Sequence, residues 1–236
     1  MRKTIAKAGT GAALLIATAF IALAFGSPAA GASDSQNDAW AVIFATETDG
    51  NTGQIAEGWA LHNWLVGHGW LDSHITFLAD HSGADGGATK ENLQGALSSV
   101  AQKSNSNSLV FIGVMDKGQT INGDFTFSAT NGQVGTGVLA GWVNGIGTCK
   151  KMVIDVSFSY SGGFIQALSG TNRVVMSSHT ATQSYMPNHF SLADGLGASS
   201  IVQQAFCNQA NKISKEYPGT QTPQIYDGAG TVSLAF

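Results

Sequence analysis

The sequence predicts an α/β protein with a mostly parallel central sheet and helices on both faces. Three observations carry this. Apolar runs rich in β-branched residues recur along the chain, as AWAVIFAT at 39–46, SLVFIGVM at 108–115 and KMVIDVS at 151–157. These runs are continuous rather than alternating, which is the pattern of strands buried on both faces. Segments with apolar residues at helical spacing separate them, and strands alternating with helices of this size build parallel sheets.

In chain order, the first strand is Ala39 to Thr46. A Gly/Asp/Asn/Thr turn leads to a helix over Gln54 to Val66, with Ile55, Trp59, Leu61, Trp64 and Leu65 as its apolar stripe. His74 to Ala79 is a short second strand, and 80–87 is a loop by composition. Thr89 is placed to cap a helix from Lys90 to Gln102, with Leu93, Leu97, Val100 and Ala101 turned inward. After the strand at Ser108 to Met115, the Gly-, Asn- and Thr-rich stretch from Gly118 to Gly135 carries alternating Phe125 and Phe127, the pattern of a small hairpin at the sheet edge. Gly137 to Ile146 is a short helix bearing Val138, Leu139, Trp142 and Val143. The remaining expectations are a strand at Arg173 to Ser177, a loop from Ser178 to Phe190, a helix around Ala198 to Lys215 and a last strand at Thr231 to Ala235.

The chain is organised around Lys150 to Leu168. Met152 to Val156 reads as a buried strand, and Gly162 and Gly163 let the backbone bend before Phe164, Ile165 and Leu168 fall at helical spacing. Ser159 therefore stands at the carboxyl end of a strand, where open α/β sheets place ligands. The strand ending at Met115 also runs into a polar turn, Asp116-Lys117-Gly118. If the two strands are parallel neighbours, Lys117 and Ser159 emerge on one edge.

Residues 1–32 read as a secretory signal peptide. Arg2, Lys3 and Lys7 precede an apolar run from Gly11 to Phe25, and Ala30-Gly31-Ala32 is a small-residue cleavage site. The run is short of the ~20 apolar residues of a spanning helix, which weighs against an uncleaved anchor. Residues 33–236 are then expected to form one secreted domain, extracellular or periplasmic. Removing the leader takes three of eleven basic residues and none of fifteen acidic ones, leaving eight against fifteen and moving the net charge from −4 to −7. Such a surface excludes nucleic acid as a partner, and a membrane partner is expected only if the leader is retained. In an exported chain, Cys149 and Cys207 favour one disulfide, worth roughly 4 kcal/mol in the chain-entropy model, over two buried thiols.

Other features read as structural. His62, His68 and His74 recur at a spacing that does not share a helix face, so no metal site is expected of them. Gly135 to Gly141 lacks the Lys-Ser/Thr ending of a phosphate loop.

Taken together, VFIGVMDKG at 110–118 and KMVIDVSFSYSG at 151–162 resemble the two strand ends that carry the catalytic dyad in legumain-type (C13) cysteine peptidases. The resemblance extends to the opening strand and helix, to VVMSSHTATQSY at 174–185 and to YPGTQTPQIYD at 217–227. It implies a caspase-like three-layer sandwich and no cofactor. It also places Lys117 where the family has its catalytic His, Ser159 where it has its nucleophilic Cys, and Gly118 at an oxyanion amide. Ser157, Ser184 and Tyr185 fall at substrate-binding positions, with Ser157 in place of an acidic residue.

A thiolate is nucleophilic at neutral pH, whereas a serine hydroxyl needs a base within hydrogen-bond reach. The expectation is therefore a secreted pseudopeptidase that lacks cysteine-peptidase activity and holds a peptide or protein in the inherited cleft. The alternative is a hydrolase with Ser159 as nucleophile. Its base would be a desolvated Lys117, or His179 oriented by Asp116.

Overall fold

The computed structural model describes residues 36–47, 52–184 and 188–236. The leader predicted at 1–32 and Tyr185 lie outside them. Six strands form the central sheet: β1 (Ala39–Ala45), β2 (Ile75–Ala79), β3 (Leu109–Met115), β7 (Lys151–Ser157), β8 (Arg173–Ser177) and β9 (Gln224–Asp227). Their order is β2-β1-β3-β7-β8-β9, with every pair parallel except β8–β9. The central strands β1, β3 and β7 are buried almost along their whole length, which is why their sequences are apolar without alternation.

Helices α1 (Gly53–Gly67), α5 (Leu192–Ala198) and α6 (Val202–Glu216) cover one face. The other face is covered by α2 (Lys90–Lys103), α3 (Thr136–Asn144) and α4 (Gly162–Leu168). The result is a three-layer sandwich with two apolar interiors, one on each side of the sheet. Thr89 caps α2 as the sequence predicts, its Oγ1 accepting from the Asn92 amide at 3.2 Å.

Three expectations need correction. The stretch from Gly118 to Gly135 is a separate three-stranded antiparallel sheet rather than a hairpin at the edge of the main one. Its strands are β4 (Gly118–Ile121), β5 (Asp124–Ala129) and β6 (Gly132–Gly135). It packs through buried Phe127 and Val134 onto the face that carries α2, α3 and α4. The helix expected around Ala198 to Lys215 is present as α6, and ahead of it lies a short α5 that the sequence did not predict, capped by Ser191 and separated from α6 by a turn at 199–201.

The last strand is β9, upstream of the predicted 231–235. That tail is instead a strap whose Val232 and Leu234 are buried, tied to the start of α6 by an isolated bridge between Ile201 and Ser233. Finally, Cys149 and Cys207 are both free thiols. Cys149 is buried in the interior next to α2–α4, whereas Cys207 is exposed on α6 across the sheet, so the fold keeps them apart.

Candidate functional site

The carboxyl ends of β1, β3, β7 and β8 meet at one edge of the sheet, and most of the buried polar side chains gather there. Thr46, Asp116, Asp155, Ser157, Ser159, Ser161, Ser177, Ser178 and His179 are each buried. β3 and β7 are parallel neighbours with Met115 opposite Ser157, so their following turns emerge side by side. The predicted pair is thus brought to the same edge. The two turns also touch: a Cβ on Gly118 would lie 1.8 Å from the Ser159 carbonyl oxygen and 2.6 Å from the Phe158 ring. Only a glycine allows backbone to approach backbone this closely.

Ser159 is 8% exposed and sits in a tight turn in which the Ser161 amide donates to the Phe158 carbonyl at 3.2 Å. The next residue, Tyr160, has φ +63, a left-handed conformation that side chains larger than glycine adopt at a cost. Its amide donates to the Gln183 carbonyl at 3.0 Å, holding this turn to the loop after β8. Gln183 in turn accepts from the amides of Thr180 and Thr222 through its side chain, at 3.0 Å each. Ser161 fixes the same loop by accepting from the His179 amide at 3.2 Å.

Asp116 ties the β3 end to its surroundings. It accepts from the Thr46 hydroxyl, and from the Lys117 amide at 2.5 Å. Burial pushes its pKa up to about 8 against these hydrogen bonds. Its hydrogen bonds run to Thr46, Lys117 and Ser128 rather than to His179, so the orienting role considered for it is not what the geometry provides. Lys117 is half-buried.

His179 is 1% exposed. Its Nδ1 lies 2.8 Å from the Ser178 hydroxyl, and its Nε2 has no hydrogen-bond partner among the described residues. Burial holds its pKa down at about 4, although the nearby Phe158 carbonyl favours the charged ring. The imidazole is therefore neutral at pH 7 but a weak base. Ser157 is buried at the end of β7, and Ser184 is exposed at the end of the loop that starts at Ser178.

Two carboxyls that sequence reasoning passed over lie on the α1/α5 side of this edge. Asp155, inside β7, is fully buried, and Ser157 Oγ donates to its Oδ1 at 3.0 Å. Burial, with the Glu57 charge second, raises its pKa to about 8. Glu57 on α1 accepts from the Ala193 amide at the start of α5 at 3.2 Å, and burial raises its pKa as well. The signal for Asp155 was present in the sequence as a single acidic residue within an apolar strand.

No family model matches this chain, and no curated protein matches it. Among solved structures, protein GSU0716 from Geobacter sulfurreducens is similar, with a TM-score of 0.57, 11% sequence identity, and coverage of 80% of this chain and 92% of that one. At this identity the likeness bears on fold alone, and it agrees with the mixed α/β architecture.

Proposed function

We propose that this protein is a secreted, legumain-like pseudopeptidase of caspase-like fold, which binds a peptide or protein segment in the cleft at the carboxyl edge of the sheet. The observation that carries the reading is the setting of Ser159. Its turn is clamped against Gly118, in the place and spacing where the resemblance puts a nucleophile beside an oxyanion amide. The groups around it are those of a rigid site without an activated nucleophile. His179 is engaged through Nδ1 with Ser178 and is depressed to about 4, so it accepts a proton from a hydroxyl poorly.

A cleft of this kind holds extended peptide by backbone hydrogen bonds and side-chain pockets, and it needs no nucleophile to do so. One observation favours the second reading, a hydrolase using Ser159. The left-handed Tyr160 beside it is a strained turn of the kind that accumulates at functional sites.

Covalent labelling with a fluorophosphonate probe separates the two readings, comparing the wild-type chain with Ser159→Ala and Lys117→Ala. The pseudopeptidase reading expects no labelling of the folded wild type. Labelling that is lost in both variants would overturn it in favour of a Ser/Lys hydrolase.

A further inference from the structure

The loop that follows β8 lies against the turn that carries Ser159. Its root is buried, with Ser178 fully so and His179 almost so, whereas Thr182 and Ser184 farther along are exposed. Beneath it Ser161 is fully buried, and neighbouring Ser159 is nearly so. We propose that residues 178–184 form an acid-opened latch: a proton taken up by His179 drives its ring out of the interior, and the loop lifts from the Ser159 turn. As a control on access to the cleft this rests on the peptide-binding reading, but the latch itself does not.

The contacts that hold the loop down are neutral apart from this imidazole. The Tyr160 amide donates to the Gln183 carbonyl at 3.0 Å, and the His179 amide to the Ser161 hydroxyl at 3.2 Å. Ser177 Oγ donates to the His179 carbonyl at 2.9 Å, and Gln221 Nε2 to the Ser178 carbonyl at 2.9 Å. At Gly162 the loop meets bare backbone, where a Cβ would lie 2.6 Å from the Ala181 amide nitrogen and 2.8 Å from the His179 carbonyl oxygen. Hydroxyls, amides and carbonyls do not titrate between neutrality and mild acid, so pH reaches these contacts through the ring.

The ring is built in as a neutral group. Its Nδ1 meets the Ser178 hydroxyl at 2.8 Å, and its buried Nε2 has no hydrogen bond among the described residues. The Phe158 carbonyl faces it from the turn after β7, and His189 from the segment before α5; the carbonyl favours a charge on the ring and His189 opposes one. Asp116, the buried acid at the end of β3, bonds to Thr46, Lys117 and Ser128 and keeps its proton up to about pH 8, so it supplies no counter-charge. A charge buried without a partner is expelled to water.

The direction follows from linkage. In the closed loop burial holds the ring's pKa at about 4, and in the open loop it returns to its ordinary 6.5. Between those values the open loop binds a proton that the closed one does not. The opening equilibrium therefore rises by up to about tenfold for each pH unit lost in that window, and levels off below it.

Amide hydrogen exchange of the wild-type chain, corrected for intrinsic rates, tests this from neutrality down to about pH 4. The amides of Tyr160 and His179 bridge turn and loop, and their exchange is expected to quicken by up to about tenfold per pH unit below 6.5. Those of Ile112 and Ile154, in the central strands, are expected to stay protected. In His179→Asn, which keeps a polar group beside Ser178 but takes up no proton, the corrected exchange should not depend on pH. Should that variant fail to fold, the ring's own NMR titration in the wild type decides, since it is expected well below 6.5 and in step with the loss of protection at Tyr160.

Protection at Tyr160 and His179 that stays flat in a folded chain overturns the inference. So does an equal gain in His179→Asn, or a ring that titrates near 6.5 while the loop stays protected. A gain shared by Ile112 and Ile154 also overturns it, because acid then unfolds the domain as a whole. None of these readouts uses a peptide, so failure of the latch leaves the peptide-binding reading standing, and the reverse.

Discussion

The carbonyl oxygen of Ser159 lies 1.8 Å from where a methyl group on Gly118 would stand, so the turns that end β7 and β3 are packed backbone against backbone. Neither turn can move without the other. The contact makes Gly118 a determinant of the shape of this sheet edge irrespective of any role for its amide. In Gly118→Ala, the new Cβ meets rigid backbone rather than the tip of a side chain, and overpacking of this kind typically costs about 1–3 kcal/mol. Urea unfolding is expected to show a loss of that size, together with weaker peptide binding. An unchanged midpoint would mean that the two turns separate freely.

Stability should fall as pH rises through neutrality. Asp116 and Asp155 keep their protons in the fold up to about pH 8, against ordinary carboxyl values of 3.8. Between those values the folded chain binds more protons than the unfolded one, so each group lowers stability by at most about 1.4 kcal/mol per pH unit, levelling off above about pH 8. His179 acts with the opposite sign lower down: with its pKa at about 4 rather than 6.5, it removes stability as pH drops from 6.5 toward 4. Between pH 6.5 and 8, of these three groups only the two carboxyls contribute. Asp155→Asn, which keeps the shape without a titrating proton, is expected to flatten the stability slope in that window. A slope equal to the wild type's would show that Asp155 is ionised in the fold.

The two thiols should behave differently. In the native chain Cys207 is exposed and is expected to react with a maleimide within minutes, whereas Cys149 is buried and its thiol pKa is raised by that burial. Cys149 should react only after denaturation. Mass spectrometry of non-reduced protein should show two free thiols, and a reductant should leave the melting temperature unchanged. A drop in melting temperature on reduction would reveal a bond that this fold does not form.

Thr89→Ala removes the hydroxyl that accepts from Asn92 at the start of α2. Loss of such a cap costs about 1 kcal/mol. Chemical denaturation should report that loss with no change at the Gly118–Ser159 edge, which makes this variant a control for the effects of Gly118→Ala on binding.

What the sequence determined by itself is the layered frame. Continuous apolar runs at 39–45, 109–115 and 151–157 can be buried only on both faces, and a strand, helix, strand succession makes them parallel. Within that frame Lys117 and Ser159 emerge on one edge once β3 and β7 lie side by side, and that adjacency was decided by the fold. The cap at Thr89 was legible too, since it depends on residues three apart.

Tertiary structure decided what depends on residues distant in the chain. Whether Phe127 belongs to the main sheet or to a small one lying on it is settled by what it packs against, including Phe158 and Phe164, not by its own alternation with Phe125. The strap at 231–235 has a strand's composition, but β9 occupies the place beside β8, leaving Val232 and Leu234 to bridge toward α6. Cysteine spacing says nothing of which side of a sheet each thiol occupies. Asp155 and Glu57 are 98 positions apart in the sequence. Only folding α1 over β7 brings one carboxylate within reach of the other, and in a buried interior that proximity sets their protonation.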